Sequence, residues 1–251
     1  MRLHKKAGAW IIDYGYMVRG ALATVIHREP PKHYLSYTKE GKVPVILIPG
    51  ILGKWSFMKK LGDAISLHGH PVYVVPELGY NIFNVPTSAK TVQAIVAHVV
   101  PKVSRGSQAV RNFIEKENIS GAVLVAHSKG GLIGKYLLAH HNADHRVLGM
   151  VAIATPFSGS AMAKLIPHDA FQELKNDSQI ILDLQQHTEA NKKIISIIPE
   201  YDNHVWAEQG SFLVGAAENR EVPVMDHHKV LFDQGVLQVV LESIEKISAQ
   251  K

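Results

Sequence analysis

The stretch Val123-Leu-Val-Ala-His-Ser-Lys-Gly-Gly-Leu-Ile-Gly-Lys-Tyr-Leu-Leu138 decides the fold. A short apolar run reads as a strand buried on both faces, and it stops at Ala126-His-Ser-Lys-Gly130. Apolar residues at helical spacing follow at once. A serine at such a strand-to-helix turn, flanked by small residues, has the layout of a strained and exposed nucleophile. Small flanking residues are needed because the incoming strand and the outgoing helix nearly touch. Gly130 supplies the second small position, and Ala126 adds only a methyl at the first, which is usually glycine.

Working outward, the same alternation recurs. Buried strands are expected at Val43 to Ile48, His70 to Val75, Gly121 to Ala126, Val147 to Ala154 and Lys193 to Ile198, with a sixth at Gly210 to Val214. Helical spacing is expected at 56 to 68, 88 to 100, 106 to 117, 130 to 141 and 230 to 248, and residues 161 to 190 read as mixed. Strands alternating with helices imply an α/β fold: a mostly parallel central sheet of about six strands with helices on both faces. In such sheets sites form beyond the carboxyl ends of the strands.

Ahead of this region, Ile11, Tyr14, Val18, Leu22 and Val25 recur at helical spacing and predict an N-terminal amphipathic helix. It either packs on the domain or anchors at a lipid interface with Trp10, Tyr14 and Tyr16. Its basic start faintly resembles a signal peptide, but Asp13 interrupts the apolar run and no small-residue cleavage site follows. Asp13, Arg19 and His27 also argue against a bilayer span. Pro30-Pro31 ends the helix, so 1 to 41 reads as helix plus linker and 42 to 251 as the main domain.

Composition narrows the chemistry. The 251 residues are 46% hydrophobic and 20% charged, ordinary for a globular protein able to bury a core. Without cysteine there is no disulfide, no thiol catalysis and no cysteine-ligated metal. The net charge of +5 is spread over separated pairs such as Lys59-Lys60 and Lys192-Lys193. No nucleic-acid motif accompanies them, so nucleic acid is not an expected partner. The 15 histidines show no metal-ligand spacing, and neither metal nor cofactor is expected. The expected location is cytoplasmic, with membrane association through the first helix.

A serine hydroxyl needs a base to take its proton. His127 should point away from Ser128 at a tight turn and reads as structural. Val224-Met-Asp-His-His-Lys-Val-Leu-Phe232 follows the last strand and offers His227, with His228 as the alternative. The acid that orients the imidazole is sought in Ile197-Ile-Pro-Glu-Tyr-Asp-Asn-His-Val205, where Asp202 is preferred over Glu200 and over Asp226 beside the base. An oxyanion hole completes an acyl-transfer site. Pro49-Gly-Ile-Leu-Gly53 ends the first strand, and the amides of Ile51 and Lys129 are the candidates. The Lys129 side chain reads as reaching solvent or, alternatively, substrate.

With these residues in place, the chain resembles the α/β-hydrolase superfamily, especially its lipase-like esterases, over about residues 43 to 248. The order Ser128, Asp202, His227 is that of the family. Ile-Pro-Gly-Ile-Leu-Gly resembles its oxyanion loop, with Pro49 where histidine is usual, and Ala154-Thr-Pro-Phe-Ser-Gly-Ser160 is similar to the segment leading into the cap. The resemblance implies a reduced core, a modest cap around 157 to 190, and hydrolysis of carboxylic esters of a lipid-like or short-to-medium acyl substrate without a cofactor. An acyltransferase using the same residues, or a non-catalytic lipid-binding member, are the alternatives. Met162, Leu165, Ile166, Phe171 and Leu174 either line an acyl site or pack the cap.

Overall fold

The computed structural model describes residues 3–100, 121–205 and 210–250. The expected helix at 106 to 117 lies outside them. Six strands form one sheet: β1 (Val45–Ile48), β2 (Val72–Val74), β3 (Ala122–His127), β4 (Val147–Ile153), β5 (Ile194–Tyr201) and β6 (Glu218–Met225). Their order is β2-β1-β3-β4-β5-β6, and every pairing is parallel.

The central strands are apolar at consecutive positions because both faces are covered. Val45, Leu47, Val123, Val125, Val151 and Ile153 face one layer. It is built by α3 (Lys59–Leu67) and α9 (Gln234–Ser248). Ile46, Ile48, Leu124, Ala126, Met150 and Ala152 face the opposite layer. That layer is built by α4 (Val85–Val99) and α5 (Lys129–His140). Local signals fix the helix starts: the Asn84 side chain accepts from Thr87 N ahead of α4, and Asp233 accepts from the Gly235 and Val236 amides ahead of α9.

The sixth strand corrects the sequence expectation. Gly210 to Val214 is not a strand, and the sheet is extended instead by Glu218–Met225. The real strand carries Glu218, Arg220, Glu221 and Pro223, a polar pattern that hides it from an apolar-run search. It is an edge strand with a single neighbour, where proline and charge are tolerated. The 210 to 214 segment is tied to it by the Asn219 side chain, which accepts from Leu213 N at 2.9 Å and donates to Leu213 O at 3.0 Å.

The first helix, α1 (Leu3–Ile26), is present but rotated relative to its apolar stripe. Ile11, Val18, Leu22 and Val25 are 76%, 53%, 57% and 69% exposed, and Tyr14 is 44% exposed. The face turned to the domain carries Asp13 and Gly20, both buried, together with half-buried Trp10, Tyr16 and Met17. Two contacts set that rotation. A side chain at Gly20 would strike the Phe57 ring at 2.2 Å, and Asp13 is drawn inward by hydrogen bonds described below. Tyr16 and Arg19 both lie on the Phe232 ring, at 5.2 and 5.0 Å. Between α1 and β1 a short helix, α2 (His33–Ser36), buries Tyr34.

Candidate active site

At the end of β3 the chain turns through Ser128, whose φ of 54° and ψ of −125° lead directly into α5. A non-glycine residue held there is strained, and such strain clusters at functional turns. The crowding that enforces it is visible on both sides. A Cβ at Gly130 would lie 2.4 Å from the Ile48 carbonyl oxygen and 2.8 Å from that of Pro49, and a Cβ at Gly50 would lie 3.0 Å from Ser128 Cβ. Only glycine permits so close an approach of α5 to the end of β1. Ala126 is buried and pairs in register with Ile48 and Ala152, so its methyl joins the apolar layer rather than loosening the turn.

His227 follows β6, and its Nδ1 donates to Asp202 Oδ2 at 2.8 Å. Asp202, just past β5, also accepts from the His204 and Val205 amides through Oδ1, at 2.8 and 2.9 Å. Burial alone would raise the Asp202 carboxyl, but the charge and hydrogen bond of His227 and the two amides hold it below the usual carboxylate range. For His227 burial works toward the neutral form, yet the Asp202 charge and hydrogen bond, with a contribution from Asp13, raise the imidazole above its ordinary value.

The alternatives fall elsewhere. His228 Nδ1 bonds to Asp13 Oδ2 at 2.9 Å, and Glu200 is exposed. Asp226 sits at φ 103° with its Oδ1 buried and without a hydrogen-bond partner among the described residues. Burial, reinforced by the charge of Asp13, pushes its carboxyl up to about 6.

His127 lines the same cavity as Ser128, and its side chain is engaged by the loop after β6. Its Nε2 donates to the His227 carbonyl at 3.0 Å. Burial, with the charges of His227 and His228, holds its pKa well below the ordinary imidazole value.

Ser128 and His227 line one cavity of about 460 Å³. The Gly50–Gly53 loop forms its rim beside the serine, which places Ile51 at the site. Lys129 is the first residue of α5, so its amide is among the unpaired donors of a helix start, where negative charge is stabilised. The Lys129 side chain neither reaches solvent nor enters the cavity. It is fully buried, donates to the Phe83 carbonyl at 2.7 Å and lies 3.5 Å from Glu173. Burial lowers its pKa, against the opposing charge of Glu173. Glu173 in turn caps the first turn of α4 through Val85 N.

Of the apolar residues singled out between 157 and 190, Met162, Ile166, Phe171 and Leu174 line the cavity, whereas Leu165 is exposed. A further part of the lining was not foreseen: α1 contributes Tyr14, Met17 and Ala21. The one sequence signal was Asp13, a lone acid inside an apolar helix.

Two side-chain groups bring three potential metal donors together among the described residues, Asp13–His204–His228 and His140–Asp183–His187. In the first, hydrogen bonds already account for both carboxylate oxygens and for the facing ring nitrogens. In the second, His140 Nε2 lies 3.0 Å from Asp183 Oδ2, a side-chain hydrogen bond between α5 and α7 (Gln179–Gln186).

A six-stranded parallel sheet with this turn after its third strand can be set beside solved structures. The mature lipase BlEst2 of Bacillus licheniformis superposes with a TM-score of 0.63 at 16% identity, over 84% of this chain and 95% of that one. Aspergillus fumigatus lipase B gives 0.63 at 18% identity, over 84% of this chain but only 54% of the other. The metagenomic carboxyl esterase MGS0156 gives 0.58 at 15%, over 85% and 77%. The fold is that of the lipase-like α/β hydrolases. At the level of sequence the chain matches no family model and no curated protein.

Proposed function

We propose that this α/β hydrolase is a carboxylic ester hydrolase working through Ser128, His227 and Asp202. The observation that carries the reading is a serine in a strained turn sharing one apolar cavity with a histidine already bonded to a carboxylate. The lipases and the carboxyl esterase that share this fold support the same class.

Ser128 Oγ attacks the ester carbonyl while its proton passes to His227 Nε2, the ring nitrogen not engaged by Asp202. The imidazolium so formed is steadied by the Asp202 carboxylate. The Ile51 and Lys129 amides stabilise the oxyanion. Collapse expels the alcohol, which takes the proton from His227. Water, deprotonated by the same histidine, then attacks the acyl carbonyl; the bond to Ser128 Oγ breaks, the acid leaves, and His227 returns its proton to Ser128 Oγ. The acyl chain occupies the cavity among Met162, Ile166, Phe171 and Leu174, which favours apolar acyl groups.

A fluorophosphonate probe labels Ser128 in the wild type and fails on Ser128→Ala. Hydrolysis of p-nitrophenyl esters falls by roughly 10⁴- to 10⁶-fold in that variant. Equal labelling of the two proteins overturns the assignment. A series of acyl lengths identifies the preferred chain.

The partner reading extends to a lipid surface. The exposed stripe of Ile11, Val18, Leu22 and Val25 lies on the helix whose inner side walls the cavity. Its sequence from residue 1 to 28 carries Arg2, Lys5, Lys6, Arg19 and Arg28 against one acid, Asp13, which is buried. No described helix is long and apolar enough to cross a membrane. An exposed apolar stripe on a segment whose sequence is net basic fits peripheral contact with anionic lipid. Vesicles of phosphatidylserine and phosphatidylcholine sediment the wild type, and Val18, Leu22 and Val25 changed together to serine abolish this; equal sedimentation of both overturns it.

A further inference from the structure

Asp13 is a fully buried carboxylate delivered by α1 to loops about two hundred residues away in sequence. Its Oδ1 accepts from the His228 amide at 2.6 Å. Its Oδ2 accepts from His228 Nδ1 at 2.9 Å, Asn203 Nδ2 at 3.0 Å and His204 Nε2 at 3.1 Å. Four hydrogen bonds fill the carboxylate, and their number outweighs the cost of burying the charge. Burial opposes ionisation, but the bonds from His204, His228 and Asn203 keep Asp13 far below the usual carboxylate range.

The three residues it grips all belong to the two loops that carry the acid and the base. Asn203 follows Asp202 and, through Oδ1, accepts from the His227 amide at 3.1 Å. His204 gives its own amide to Asp202. His228 follows His227. Each loop is thus held to α1 within one or two residues of its working group, and nowhere does Asp13 touch the space a substrate would fill.

Resting on the Ser128–His227–Asp202 reading above, we propose that Asp13 is the positioning residue of this site: through Asn203, His204 and His228 it clamps the acid loop and the base loop against each other and sets the orientation of His227. The N-terminal helix is by this inference a working part of the hydrolase. A side chain held by packing and a fully satisfied polar network is what keeps reacting groups within the narrow geometry that catalysis needs.

Asp13→Asn is nearly isosteric but cannot accept all four bonds, because its amide NH₂ faces donors. Asn203→Ala removes the relay to the His227 amide while leaving Asp13 its histidine partners. In both, kcat on a water-soluble p-nitrophenyl ester is expected to fall by up to about 10²-fold, the scale of a small misplacement of reacting groups, with KM within about threefold. A second readout separates positioning from mere folding support. His227 faces Asp202, Asp13, His127, His204, His228 and Ser128, and Asp13 is an anionic neighbour that favours its charged form. Loss of that charge moves the acid limb of the kcat/KM profile to lower pH in Asp13→Asn, and leaves it nearly in place in Asn203→Ala. Wild-type kcat together with a wild-type pH profile in Asp13→Asn overturns the proposal, even if its melting temperature drops. If Asp13→Asn does not fold, Asn203→Ala decides: unchanged kcat overturns it. An inactive wild-type protein would instead defeat the ester-hydrolase reading on which the inference rests.

Discussion

His127 Nε2 donates to the carbonyl oxygen of His227 at 3.0 Å, joining the strand end that presents Ser128 to the loop that presents the base. The two rings lie 4.8 Å apart between centroids. His127→Leu leaves that buried carbonyl without its donor, at a cost of about 1–3 kcal/mol. Urea unfolding should show the loss, and kcat should fall with it because the base loop is no longer tied to β3. His127→Gln, which carries an amide donor near the same position, should recover most of both.

Gly130 makes a sharper prediction. Backbone oxygens of Ile48 and Pro49 occupy the space a methyl would need, and neither can step aside as a flexible side chain would. Gly130→Ala should cost about 3 kcal/mol or unfold the protein outright. Ala126→Gly, by contrast, removes a methyl already housed in the apolar layer, and any loss should come mainly from strand flexibility, about 1 kcal/mol. Thermal melts of the two variants test the contrast.

The pH dependence follows from His227. In the proposed mechanism it takes a proton only when neutral, and Asp202, against the effect of burial, holds its pKa above the ordinary imidazole value of 6.5. The kcat/KM profile should therefore rise through an acid limb centred above that value and level off at higher pH. Asp202→Asn removes the charge that raises it, so the limb should shift to lower pH while kcat falls by about 10⁴-fold.

Asp226 offers a test on stability. Its carboxyl is raised from 3.8 to about 6 by burial and by neighbouring Asp13. A carboxyl raised on folding favours the native state while protonated. Its contribution is present below pH 3.8 and lost as pH climbs through about 6. Asp226→Asn, neutral and tolerant of positive φ, should therefore raise the melting temperature by a few degrees, about 2–4 °C, at pH 8. The gain should shrink or vanish at pH 4. Equal effects at both pH values would argue against a titrating role.

Much of this architecture could be read before any coordinates. Val45 to Ile48 and Ala122 to His127 are recognisable because strands covered on both faces must be apolar at successive positions. Asp202 and His227, which the structure brings into a hydrogen bond, could be singled out because they follow β5 and β6, at the carboxyl ends of the sheet. What escaped depends on partners distant in sequence. The sixth strand is polar because it lies at an edge. The burial of Lys129 is settled by Phe83 and Glu173. The rotation of α1 is settled by His228, Asn203 and Phe57, so the apolar stripe, for which periodicity left both packing on the domain and a lipid interface open, faces outward.

The contact between Asp13 and His228 also has a consequence for biosynthesis. Asp13 leaves the ribosome long before His228, and the pairing spans 215 positions of chain. Closure over such a distance is slow relative to local folding. On the proposed Ser128–His227–Asp202 reading, a nascent chain that has already made its serine turn still lacks His227, so the growing polypeptide is expected to stay inert toward esters until the last loop meets the early helix.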